Sequence, residues 1–126
     1  MNHVMLYIED DDNNINLVQA LLKRRSQIDL VVAMNGRDGI QAAIEKRPSL
    51  ILLDNRLPDA TGSEILRELA STAATAAIPV VVLSSDSDDV IAQLIAHGAA
   101  EAVLKPFDIH HFMSTIDRYL PDDPQN

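Results

Sequence analysis

The segment LILLDNRLPDATG (Leu50–Gly62) opens on four branched apolar residues and meets a carboxylate, Asp54, without a break. Branched apolar runs of this length read as strands covered on both faces, the environment of a parallel sheet. A strand driven into a protein interior and ended on an acid calls for a reason, since a buried carboxylate must be paired or bound. The same ending recurs at VMLYIEDDDNN (Val4–Asn14), where an apolar run meets Glu9 and Asp10. Two such endings in one small chain point to a site.

Outward from these two segments the chain alternates. Apolar runs of strand length stand at Val4–Ile8, Leu30–Met34, Leu50–Leu53, Pro79–Ser84 and Glu101–Leu104. Between them lie amphipathic stretches of helical period. In the first, Ile15, Val18, Leu21 and Leu22 share a face behind Asn13 or Asn14 as the N-cap. The others are Arg37–Arg47, stopped by Pro48; Ser63–Thr72, after Gly62; Asp88–Gly98, closed by glycine; and Asp108–Leu120, closed by Pro121. Five βα units in succession predict an α/β fold, a (βα)5 flavodoxin-like doubly wound parallel sheet of strand order 2-1-3-4-5. We expect one domain over residues 1–121 and a frayed polar tail over 122–126.

Composition narrows the function classes. The 126 residues are 47% hydrophobic but only 3% aromatic, so the core must be aliphatic. Without cysteine there is neither a disulfide nor a thiolate metal site. A net charge of −9 argues against binding a phosphate backbone, so we expect no nucleic-acid partner. No apolar run approaches a membrane span and the start lacks signal-peptide character, which predicts a cytoplasmic protein without membrane attachment.

In an open parallel sheet, ligands bind beyond the carboxyl ends of the strands where strand order reverses. Here that rim gathers Glu9 and Asp10 after the first strand, Asp54 after the third, Ser84 and Ser85 after the fourth, and Lys105 after the fifth. Two carboxylates about 4–5 Å apart repel by roughly 3–4 kcal/mol at an effective dielectric near 20. Three such groups protonate or take up a cation, and all-oxygen ligands suit Mg²⁺, with Mn²⁺ as the second choice. A divalent ion would hold a phosphoryl group beside Asp54, Lys105 would neutralise a second oxygen, and Ser84 would donate to a third. A rigid strand end then aims Asp54 as a nucleophile.

With YIEDD, LLDNRLPDATG, VVLSSD and VLKPF in this order at strand ends, the chain resembles the receiver domain of two-component response regulators over essentially its whole length. The resemblance implies that Asp54 is the phospho-acceptor. It implies that Glu9, Asp10, Asp54 and the backbone carbonyl of Arg56 bind the metal, and that Ser84, with Ser85 beside it, and Lys105 bind the phosphoryl group. It also implies a histidine kinase or a histidine phosphotransfer protein as donor, self-catalysed transfer without other enzymatic activity, a monomer or weak homodimer, and a Lys105–Pro106 bond that is often cis in the family. No output domain is expected, so the chain reads as a stand-alone regulator or the receiver of a hybrid kinase.

The chain departs from the family at two places. Ala102 occupies a position that commonly carries Tyr or Phe, so the usual aromatic half of the switch is missing; Glu9 stands where aspartate is more usual. Arg56 and Asp86 lie two residues beyond Asp54 and Ser84, and would slow hydrolysis if they meet across the site. Elsewhere, Asp11 and Asp12 read as helix-start residues, Asp59 as a turn residue, and Asp86, Asp88 and Asp89 as acids that cap and start the fourth helix. The four histidines have no mutual ligand spacing. Two other classes compete: a phosphorylation-independent binding module, which the missing aromatic keeps open although Asp54, Lys105 and the acid pair are all present, and a small Mg²⁺-dependent aspartyl phosphohydrolase. Arg56 disfavours the hydrolase, because it stands where such enzymes need a second acid.

Overall fold

The computed structural model describes residues 2–105 and 108–121. In chain order the elements are β1 His3–Ile8, α1 Asp12–Leu22, β2 Ile28–Ala33, α2 Gly36–Lys46, β3 Leu50–Asp54, α3 Gly62–Ser71, β4 Val80–Ser84, α4 Asp88–Ala96, β5 Glu101–Leu104 and α5 Ile109–Tyr119. All four strand pairings are parallel, and the sheet runs β2-β1-β3-β4-β5. This is the predicted order, with the reversal between β1 and β3.

Strand alternation divides the core into two layers. Met5, Tyr7, Leu50, Leu52, Val81, Leu83 and Val103 face α1 and α5, where Val18, Phe112 and Ile116 meet them. Leu6, Ile8, Ile51, Leu53, Val80 and Val82 face the other way, toward Ala43 of α2, Ile65, Leu66 and Leu69 of α3, and Leu94 of α4. β3 is buried at every position, Asp54 included, as the unbroken apolar run requires. On the second face α2 crosses β1 so closely that a Cβ at Gly39 would stand 2.6 Å from Ile8 Cδ1.

Element ends follow local chemistry, and some differ from expectation. The N-cap of α1 is Asp11, whose carboxylate accepts from the N–H groups of Asn13 and Asn14; the asparagines expected to cap are the residues being capped. β2 starts two residues earlier than its apolar run, because Asp29 points outward from an edge strand. Thr61 and Glu64 form a reciprocal capping box at α3, which the sequence reading did not identify. Helix α4 ends at Ala96, and Gly98 follows with φ +114°, so glycine serves the turn just beyond the helix. Ser87 is the N-cap of α4 and Asp88 and Asp89 fill its first turn. Asp86 does not cap this helix; its partners lie across the site, as described below.

The far pole of the sheet is tied together as well. Arg25, after α1, grips Asp117 of α5 through two parallel N–H···O bonds of 2.9 and 3.0 Å. The ring Nε2 of His3 lies 3.1 Å from the carbonyl oxygen of Pro121.

Candidate functional site

Strand register brings the rim together. Ile8 pairs with Leu53, Asp54 with Leu83, and Ser84 with Leu104, so β1, β3, β4 and β5 end at nearly one level. The hydrogen-bond ladder continues a step past those ends: Glu9 N–H donates to Ala33 O, Asn55 N–H to Leu83 O, and Lys105 N–H to Ser84 O. Residues just beyond the strands are therefore held nearly as firmly as residues within them.

Carboxylate oxygens of Glu9, Asp10 and Asp54 lie within 4.8 Å of one another. Lys105 Nζ donates to Asp54 Oδ1 at 2.8 Å and stands 3.9 Å from Glu9 Oε1. The acids differ in setting: Glu9 is 1% exposed and Asp54 7%, whereas Asp10 is open to solvent. Burial pushes the Glu9 carboxyl up, and the neighbouring Asp54 carboxylate pushes it the same way; Tyr7 and Lys105 oppose them. Glu9 is anchored from below. Its Oε1 accepts from the Tyr7 hydroxyl at 3.0 Å and from Asn14 Nδ2 at 3.1 Å. Burial and the Glu9 charge in turn push the Tyr7 phenol well above its ordinary range. A cluster of hard oxygen donors this tight fits a small divalent cation.

A second layer lies beside Asp54. Ser84 is buried at the end of β4, and its hydroxyl donates to Asp86 Oδ2 at 3.0 Å. Asn55 Nδ2 reaches the same oxygen at 2.6 Å, and Arg56 Nη2 reaches Asp86 Oδ1 at 2.6 Å. Arg56 and Asp86 thus meet across the mouth of the site. The hydrogen bond from Arg56, followed by that from Asn55, holds the Asp86 carboxyl below its ordinary value. Ser85 is exposed beyond β4, and Ala102 is half-buried on β5 opposite Val82. Pro106, and with it the peptide bond after Lys105, lies outside the described residues, as do residues 122–126.

Tyr7, Asn14 and Asn55 support the rim, a role not read from the sequence for any of them; Asn14 was expected only as an N-cap. A signal existed for one of them, since strand period two puts Tyr7 and Glu9 on the same side. Asp59 goes beyond its expected turn role. Its carboxylate accepts from the N–H groups of Gly36 and Arg37, at 2.7 and 3.0 Å, and so caps α2 from the loop after β3. These two backbone bonds pull the Asp59 carboxyl below its usual range.

Comparison with known proteins agrees with this architecture. The profile of the response regulator receiver domain matches residues 5–117. The chain is 30% identical over 119 residues to the polar-differentiation response regulator DivK of Brucella anthropi, covering 94% of this chain and 96% of DivK. It is 31% identical over 123 residues to the response regulator ArlR of Staphylococcus saprophyticus, covering 96% of this chain and 54% of ArlR, so it spans about half of that relative. Among solved structures, a putative response regulator from Chloroflexus aurantiacus superposes with a TM-score of 0.87 at 20% identity, covering 97% of this chain and all (100%) of that one. The receiver domain of the Pseudomonas aeruginosa sensor histidine kinase PA1611, solved with magnesium in its active-site cleft, gives 0.84 at 21% identity, covering 97% of this chain and 100% of that one. By its matched length, its strand order and the acids at its rim, this chain belongs to the response regulator receiver domain family.

Proposed function

We propose that the chain is a phosphorylation-dependent signalling domain whose acceptor is Asp54. The observation that carries this reading is the 2.8 Å contact of Lys105 Nζ with Asp54, beside two further carboxylates within 4.8 Å. A carboxylate becomes a useful nucleophile toward phosphorus only if the incoming charge is neutralised, and the site offers two means of doing so. Glu9, Asp10 and Asp54, with the backbone carbonyl of Arg56, would hold Mg²⁺, which would offset the charge of a phosphoryl group and orient it toward Asp54. Lys105 stays within reach of the same oxygens through its ammonium. Ser84 supplies a hydroxyl donor, and exposed Ser85 borders the phosphoryl position.

The donor on this reading is the phosphohistidine of a kinase or a phosphotransfer protein. An O–P bond to Asp54 forms as the N–P bond of the donor breaks. The Arg56–Asp86 pair, 2.6 Å across the mouth, would obstruct a water approaching the acyl phosphate and lengthen its life. Among the described residues no helix is long and apolar enough to cross a membrane.

Intact-protein mass after incubation with acetyl phosphate and Mg²⁺ tests the reading, with Asp54→Asn as control. One phosphoryl adduct that requires Mg²⁺ and is lost in Asp54→Asn is the expected result. A folded protein that takes up no phosphoryl group would instead be a phosphorylation-independent binding module.

A further inference from the structure

The hydroxyl that a phosphoryl group at Asp54 would need is already engaged. Ser84 Oγ donates to Asp86 Oδ2 at 3.0 Å and accepts from the Asp86 N–H, also at 3.0 Å. A hydroxyl has a single proton to donate, so Ser84 cannot serve Asp86 and a phosphoryl oxygen together. The carboxylate it serves is also the anchor for Asn55 and Arg56, the two residues that directly follow Asp54. One group thus connects the end of β4 to the start of the β3–α3 loop.

We propose that Asp86 is a positioning residue that holds Ser84 in a resting arrangement, and that phosphorylation transfers the Ser84 hydrogen bond from Asp86 to the phosphoryl group and loosens Asn55 and Arg56. The inference rests on the reading of Asp54 as phospho-acceptor. No covalent change occurs beyond that phosphorylation; one hydrogen bond changes acceptor. Asp86 is only half-buried, so water replaces the donors it gives up. The new phosphoryl anion repels the Asp86 carboxylate, which favours the same direction of movement. The network ends at a cleft of about 560 Å³ between α3 and α4, bordered by Asn55, Arg56, Thr61, Asp86, Gln93 and His97. Rearrangement therefore reaches the surface there, without a rotating aromatic on β5, where Ala102 has only a methyl group.

Beryllofluoride with Mg²⁺, a stable phosphoryl mimic, tests this on the full chain. Fluorine NMR reports occupancy at Asp54, and ¹⁵N signals of the Asn55 amide and the Arg56 guanidinium report the network. At saturation these signals are expected to move toward the positions that Asp86→Ala shows without the mimic. Asp86→Ala is also expected to speed loading from acetyl phosphate by roughly 2- to 10-fold, the rate equivalent of one net hydrogen bond. The gain should vanish in a Ser84→Ala background, where there is no hydroxyl to release. Asp86→Asn keeps the shape without the charge and should rank between wild type and Asp86→Ala, giving a second, better-folded test. Occupied Asp54 with unmoved Asn55 and Arg56 signals overturns the inference. An equal gain with and without Ser84 also overturns it, because that is a general charge effect. No occupancy at all, by beryllofluoride or by mass, overturns the reading of Asp54 itself.

Discussion

Glu9 shows how a single acid is accommodated inside a protein. At 1% exposure it would be costly as an unpaired anion, yet Tyr7, Asn14 and Lys105 surround it with donors and positive charge. Removing the phenol leaves Oε1 short of a buried donor. Tyr7→Phe is accordingly expected to lower unfolding free energy by about 1–2 kcal/mol, read by urea denaturation, with little change in the m-value. The acids themselves were legible because charge at the end of an apolar run is conspicuous. Tyr7 and Asn14 were not, because an asparagine in the first turn of a helix carries no mark of the residue it will face. Arg56 and Asp86 lie between these cases: their offsets from Asp54 and Ser84 gave the pairing, while the additional bonds of Asp86 to Ser84 and Asn55 became visible only in three dimensions.

Among the elements, helix ends carry polar contacts that a period of apolar residues cannot reveal. Thr75 is buried in the connection between α3 and β4, where its hydroxyl donates to Leu69 O at 2.7 Å. Thr75→Val keeps the volume but leaves Leu69 O with only the long 3.4 Å bond from the Thr72 N–H, and should cost about 1 kcal/mol in urea or thermal unfolding. Glu101 at the start of β5 accepts from Arg118 at 2.6 Å and Tyr119 at 3.3 Å on α5. The Arg118 hydrogen bond holds the Glu101 carboxyl below its ordinary value. Its contribution is therefore fully present above the unfolded-state value, near ~4.5, and is lost as pH falls through the lower folded value. In Tm measured from pH 6 to pH 3, Glu101→Gln should show a shallower acid limb than wild type. Strand positions were legible to within two residues because burial on both faces leaves an unbroken apolar run. Edge strand β2 was the exception: Asp29 interrupts its pattern, and only its pairing with Val4 reveals it as strand.

The whole molecule is strongly acidic, with a net charge of −9, and part of that excess is compressed at one rim. A cation that binds the folded rim and ignores the unfolded chain stabilises by mass action. Mg²⁺ at about a hundred times its dissociation constant should add about 2.7 kcal/mol, seen as a Tm rise that equal ionic strength of NaCl does not reproduce. Asp10→Asn should abolish most of that rise while leaving the metal-free fold intact, since Asp10 is exposed. Strand order at this scale was fully legible, because alternating βα units and right-handed crossovers leave few arrangements open. The rim followed from that order alone, before any distance was known.

The contact between His3 and the Pro121 carbonyl, 3.1 Å apart, has a practical meaning for engineering. The two ends of the described domain emerge side by side, on the pole opposite the acids. A fluorescent reporter or an affinity handle fused at either end of the described domain would leave from that pole and keep clear of the acidic rim. The same proximity makes the backbone nearly a closed ring, so a short peptide bridge joining the ends would allow circularly permuted variants with their rim untouched.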